Sequence, residues 1–188
     1  SYCEESSDHI ICTLCPEGTY NTKTGSYSKD DCIPCPKGYL CDLEGMYDFE
    51  TQSKVCPSGY ICTGGTNNNN IMLCPPGFYC EQGTGDSYQF HICLEGYYCD
   101  EGSTSNNNKK NPCLEGWYCP YGTYYDYKNA KLEISPYLNV ILEEKRNHSP
   151  NDPEIDMVHN AQCIENLILD DSIIQSFLNE NNLECPEG

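Results

Sequence analysis

The sequence predicts a small disulfide-rich fold: an elongated tandem array of short β-hairpin and turn cysteine-rich modules, with a small α-helical insertion near the C-terminus. Three observations carry this expectation. Leu, Ile, Val and Phe together supply only 33 of 188 residues, and 29 acidic against 10 basic side chains leave a net charge of −19. Such a chain normally stays disordered, because it cannot bury enough apolar surface to offset its backbone entropy. Sixteen cysteines are the second observation; cross-links that restrict the unfolded state are typically worth about 2 to 4 kcal/mol each and replace the missing core. The third is an internal repeat of about twenty residues.

The repeat has the form Cys, Pro or Leu, any residue, Gly, aromatic, any residue, Cys. It occurs as CPKGYLC from Cys35, CPSGYIC from Cys56, CPPGFYC from Cys74, CLEGYYC from Cys93 and CLEGWYC from Cys113. A degenerate copy starts at Cys15, with Asn21 in place of the second cysteine, and another at Cys185. Units thus begin at 15, 35, 56, 74, 93 and 113. A glycine follows the second cysteine at Gly65, Gly83, Gly102 and Gly122, and one residue later at Gly45. Fixed glycines suggest positive φ, and Pro36, Pro57 and Pro75 suggest a preset φ in the preceding turn, so each unit is expected to hold two tight turns. The recurring aromatic (Tyr39, Tyr60, Phe78, Tyr97, Trp117) is expected to pack on a disulfide or a neighbouring unit, with an exposed contact role as the alternative. Polar runs, Asn67 to Asn70 and Ser103 to Lys110, read as loops. Insertions confined to one place in each unit suit a linear stack, hence a rod.

Composition changes at residue 127. Residues 1–126 hold 14 cysteines, while residues 127–188 hold 2 cysteines and 17 of the Leu, Ile, Val and Phe. Residues 127–184 are therefore expected to be an aliphatic-rich helical insertion, with 185–188 starting a further repeat. Ser135-Pro136 offers a helix start ahead of Leu138, Ile141 and Leu142; Asp152-Pro153 precedes Met157, Ala161, Ile164 and Ile168; Asp171-Ser172 precedes Ile173, Ile174, Phe177 and Leu178. Three short helices follow, or a strand at Leu167 to Leu169. Three short helices cannot bury all this aliphatic surface among themselves, so the segment is expected to contact neighbouring rods. Cys185-Pro186-Glu187-Gly188 repeats Cys15-Pro16-Glu17-Gly18, which leads to the expectation that the polypeptide continues into more units.

The stretch CTLCPEGTYNTKTGSYSKDDCIPCPKGYLC, Cys12 to Cys41, resembles the ephrin-receptor-like, growth-factor-receptor-type cysteine-rich repeat, and the likeness extends loosely to residue 126. The resemblance implies an extracellular, disulfide-stapled spacer or assembly module without catalysis, as in mastigoneme-type or protist surface proteins. It also implies bridges from Cys15 to Cys32 and from Cys35 to Cys56, the latter in conflict with the added Cys41. For the remaining pairs, closure of each unit on itself and interleaving between units both satisfy an even cysteine count. The full expected disulfide set is Cys3, Cys12, Cys15, Cys32, Cys35, Cys41, Cys56, Cys62, Cys74, Cys80, Cys93, Cys99, Cys113, Cys119, Cys163 and Cys185.

Other chemistries fare worse. Cys12, Cys15, Cys32 and Cys35 have the spacing of a zinc ribbon, but they share the phase of the repeat, which favours oxidised pairs. His9, His91, His148 and His159 lack ligand spacing and read as solvated surface residues; no hydrolase, zincin or phosphate-loop motif is present. No catalytic, metal or cofactor-binding residue is expected. Acidic clusters at Asp30-Asp31, Asp152 to Asp156 and Asp170-Asp171 lack a calcium-loop pattern. Asn147-His148-Ser149 is the one glycosylation sequon, weakened by Pro150. A pI near 4.3 excludes a phosphate-binding footprint and hence nucleic acid, and no apolar run is long enough to span a bilayer. The expected function is a non-catalytic structural module of a larger extracellular or cell-surface repeat protein, forming a rod in a filament, flagellar-hair-like structure or coat. Its expected partners are other copies of itself, neighbouring extracellular proteins and attached glycans. The alternative is a receptor ectodomain or surface antigen that binds a protein ligand.

Overall fold

The computed structural model describes residues 1–5, 10–105 and 109–158. The fold is disulfide-rich and built of small two-stranded antiparallel hairpins with few helices. In chain order the hairpins pair β1 (Tyr2–Glu5) with β2 (Ile10–Thr13), β3 (Thr19–Tyr20) with β4 (Ile33–Pro34), and β5 (Tyr39–Leu40) with β6 (Lys54–Val55). The next two pair β7 (Tyr60–Ile61) with β8 (Met72–Leu73) and β9 (Phe78–Tyr79) with β10 (His91–Ile92). A single bridge between Tyr97 and Pro112 continues the series. From β5 to β10 the first strand of each pair is the aromatic step of one unit, and its partner is the dipeptide just before the next unit's cysteine. Tyr39 thus lies opposite Val55, Tyr60 opposite Leu73 and Phe78 opposite Ile92.

The hairpins from β3–β4 to β9–β10 each start from a type II turn. The Pro36 carbonyl accepts from the Tyr39 amide, Pro57 from Tyr60 and Pro75 from Phe78, and the intervening glycines have φ of 80°, 82° and 85°. Only glycine takes that conformation without steric cost at the third turn position. The prolines occupy the first position of this turn and supply its acceptor, where the sequence suggested they set φ for a preceding one. Two units use Leu94 and Leu114 in the same place, which is possible because the proline ring is not what closes the turn.

The second turn closes through a hydroxyl. Thr66 Oγ1 donates to the Thr63 carbonyl, Thr84 to Glu81, Ser103 to Asp100 and Thr123 to Pro120. These four hydroxyl residues are buried, and the intramolecular bond offsets the loss of water. The loops between units hold one-turn helices with side-chain caps. Asp31 accepts from the Ser28 amide, Gln52 from the Tyr47 and Asp48 amides at α1 (Phe49–Gln52), and Gln89 from the Gly85 and Asp86 amides.

A further hairpin, β11 (Thr123–Asp126) with β12 (Lys131–Ile134), straddles the composition boundary between residues 126 and 127. The aliphatic-rich segment therefore begins as sheet, not helix. The helix α2 (Leu138–His148) follows, with Tyr137 at its N-cap rather than Ser135. Residues 153–158 are helical, and the Asp152 side chain accepts from the Glu154 amide as expected of a cap. The third expected helix, the alternative strand at Leu167 to Leu169, and Ala161, Ile164, Ile168, Phe177, Leu178, Cys163 and Cys185 lie outside the described residues.

The largest apolar cluster joins Leu138, Ile141, Leu142, Ile155 and Val158 to Ile61, Phe78, Phe90 and Ile92. The helical segment thus packs on the fourth unit of its own chain. Over residues 138–158 the aliphatic face is thus occupied within the chain, because the hairpin β9–β10 supplies an apolar surface close in sequence, with no association entropy to overcome.

Candidate functional site

The chemistry of the chain is carried by its cysteines. The structure closes five units on themselves: Cys35–Cys41, Cys56–Cys62, Cys74–Cys80, Cys93–Cys99 and Cys113–Cys119, each with Cα atoms 5.7 to 5.9 Å apart. Cys15 pairs with Cys32 and Cys3 with Cys12. The Cys35 to Cys56 bridge implied by the family resemblance is replaced by Cys35–Cys41, because the type II turn returns the chain to disulfide distance within one unit. The four cysteines with zinc-ribbon spacing belong to three separate bridges, so their sulfurs are not available together as thiolates.

These bridges close within units, and backbone hydrogen bonds join one unit to the next. One pattern of four hydrogen bonds recurs at every step from one unit to the next. Between the second and third units, the Gly38 amide donates to Cys62, Cys56 to Gly38, Gly65 to Cys35 and Cys41 to Thr66, at 2.8 to 3.0 Å. The same four bonds link the third to the fourth, the fourth to the fifth and the fifth to the sixth unit, and with Asn21 and Met46 in the variable places they link the first to the second. At the N-terminal side the Cys3 amide donates to Ser26 in the same manner, so β1–β2 covers the first unit.

A second contact reaches two units ahead. A Cβ placed on Gly18, Gly38, Gly59 or Gly77 would lie 2.4 to 2.5 Å from the carbonyl oxygen of Gly65, Gly83, Gly102 or Gly122 respectively. These glycines are therefore required twice, by positive φ and by close approach. The residue before each first cysteine leans on the second-turn glycine of the following unit: Leu14 on Gly45, Pro34 on Gly65, Val55 on Gly83 and Leu73 on Gly102. Leu14, Val55 and Leu73 nevertheless stay 56%, 45% and 42% exposed, an aliphatic stripe with one residue per unit. The equivalent Ile92 is buried because α2 covers it. The repeat aromatic divides likewise: Phe78 is buried as expected, whereas Tyr39 and Trp117 are exposed.

The helical segment is held to the fourth unit by a charged latch as well as by its apolar face. Lys145, only 1% exposed, reaches Asp152 at 3.0 Å and Glu154 at 3.2 Å. Glu154 also meets His91 Nδ1 at 3.0 Å, and the Ile92 amide donates to it. Ser87 donates to Glu144, and His91 stacks on Tyr79. The hydrogen bond to the Glu154 carboxylate raises the His91 pKa above its ordinary value, against the opposing effect of burial. For Asp152, burial works upward but is outweighed by bonds from the Glu154 amide and Lys145, so its carboxyl is held low.

Sequence reasoning placed His91 on the solvated surface and Asp152 in an acidic cluster, and it did not single out Lys145 at all. Their partners come from separate elements, and no local spacing announces them. His148 lies at the end of α2 with Nδ1 on the Glu144 carbonyl, and Asn147 is exposed in the same turn; His9, His159 and Asp170-Asp171 lie outside the described residues. Among the described residues no group of three or more His, Cys, Asp or Glu is gathered to hold a metal, and no helix is long and apolar enough to cross a membrane. No protein-family model matches the chain, and no curated protein matches it.

Proposed function

We propose that the chain is a non-catalytic structural module of a larger extracellular or cell-surface protein, in which the repeat units stack as an elongated tandem array and serve as a rod. The observation that carries this reading is the four-bond step between units, the same at the four steps from the second unit to the sixth and kept in form at the first. A chain whose cohesion is a main-chain ladder transmits length and stiffness from unit to unit and is insensitive to most side-chain changes. Seven disulfides among the described residues support an oxidising compartment, since such bonds persist outside the reducing cytosol. The likeness to ephrin-receptor-like cysteine-rich repeats supports the same role. Small-angle scattering on the isolated chain is the test: a rod gives a cross-sectional plateau and a maximum dimension well above that of a compact domain of equal mass. A globular profile would overturn the reading.

A second reading, a receptor ectodomain or surface antigen, is favoured by the exposed stripe of Leu14, Val55 and Leu73 beside Tyr39. Exposed apolar residues aligned along one side can seat a protein ligand. Capture of a soluble partner that is lost with Val55→Asp and Leu73→Asp, while scattering stays unchanged, would place this reading first.

A further inference from the structure

Among the described residues the ladder stops at the sixth unit, and what it leaves there is specific. In the first four units the turn glycine is buried: Gly18, Gly38, Gly59 and Gly77. In the last two, Gly96 and Gly116 are exposed, and a Cβ built on either meets nothing within 4 Å. The reason is positional. A turn glycine is enclosed by the second turn two units ahead, and among the described residues the fifth and sixth units have no such successor. After Cys119 the chain turns away into β11–β12, and α2 goes back to the fourth unit. Trp117, the single tryptophan, is left 56% exposed and Leu114 41% exposed. The Gly116 amide and carbonyl, the Cys113 carbonyl and the Cys119 amide hold the places of the four groups that bond at each earlier step; there they make no backbone bond to a following unit.

We infer that this face is a docking site for a further repeat unit of the kind that makes the four-bond step, carried by another polypeptide. The argument is continuity with an interface the chain already forms five times. Two donors and two acceptors stand in the spacing that the next unit satisfies, beside glycines whose outer side is empty. Among the described residues, β1–β2 lies against the first unit, where the Cys3 amide donates to the Ser26 carbonyl, while the equivalent face of the sixth unit is left open. A face of one kind that receives a surface of another makes a heterologous contact. The inference rests on the stacked-module reading above.

The test uses the chain lacking residues 1–13, which removes Cys3 and Cys12 together and uncovers the first unit as a complementary surface. With the six described bridges from Cys15–Cys32 to Cys113–Cys119 confirmed by peptide mapping, this chain should associate as its concentration rises in sedimentation velocity. Trp117 emission should shift to the blue and resist acrylamide. Gly96→Asn or Gly116→Asn in the same chain should weaken association at least about tenfold, because the new Cβ would meet an incoming carbonyl. Asn tolerates positive φ, so the melting temperature should stay near that of the truncated parent.

A truncated, correctly bridged chain that stays single would overturn the proposal, and so would Gly96→Asn and Gly116→Asn chains that associate as well as their parent. Association of the intact chain to the same extent would make a second copy's N-terminal hairpin the occupant and equally overturn it. Amide hydrogen exchange on the intact protein is independent of the deletion. Fast exchange at Gly116 with protection at Gly38, Gly59 and Gly77 supports an open face; protection at Gly116 means the chain covers itself, against the proposal. Fast exchange at all four would sink the stacked-module reading itself.

Discussion

The second and third units and the segment 138–158 stay folded by opposite means. In the units, cohesion is main-chain hydrogen bonding and disulfide closure, and aliphatic side chains such as Val55 and Leu73 remain exposed. In the helical segment there is no bridge, and Leu138, Ile141, Ile155 and Val158 are buried together. The two meet at the fourth unit, where the pair Phe78 and Ile92 occupies the register of Tyr39 and Val55 yet is almost wholly buried. A repeat position therefore fixes backbone geometry without fixing burial; what lies over it decides the energetics.

Reduction should break the comparison most completely. Each six-residue loop is worth about 2 kcal/mol in chain entropy, and seven bridges together exceed the usual net stability of a domain. The reduced, alkylated chain should lose its dispersed proton spectrum across residues 1–126, and a retained spectrum would contradict the account. Next in size is the latch. Lys145→Ala leaves Asp152 and Glu154 without their buried cation and should cost about 3 to 5 kcal/mol in denaturant titration. Lys145→Met, which restores the packing alone, should not recover it.

The covered and uncovered copies of one repeat position offer a direct contrast. Ile92→Ala should cost about 2 to 5 kcal/mol, whereas Val55→Ala at the equivalent exposed place should stay within about 0.5 kcal/mol. Equal losses would mean that the stripe is covered. The turn glycines sharpen the point further. Gly77→Ala and Gly116→Ala share the penalty of positive φ, but only Gly77 faces a carbonyl, at 2.4 Å. The difference in their melting behaviour should correspond to about 1 to 3 kcal/mol.

The smallest expected effect is the pH dependence of the latch. The pKa of His91 is raised in the folded state by Glu154. Its contribution is thus fully present below the unfolded value, near 6.5, and is lost as pH rises through the higher folded value. Its partial exposure keeps the effect below about 1 kcal/mol. Histidine resonances followed by NMR should give a raised pKa that returns to normal in Glu154→Gln.

The sequence alone determined the local geometry of this protein. Cysteine phase, the glycines of the first turn and the aromatic after them are each set by steric rules that act within seven residues, so the units from Cys35 to Cys119 could be delimited without a structure. The capping pairs Ser28 with Asp31 and Asp86 with Gln89, and the closing hydroxyls of Thr66, Thr84, Ser103 and Thr123, are equally local, yet the sequence reading did not single them out. The tertiary structure alone decided how units meet. Self-closing and interleaved disulfides satisfy the same cysteine count, and only the turn's return distance separates them. The burial of Ile92 against the exposure of Val55, the joining of Lys145 to Asp152, Glu154 and His91, and the open faces of Gly96 and Gly116 all depend on elements distant in sequence. Contacts of that kind are set by where the chain returns in space, and no periodicity in the sequence encodes it.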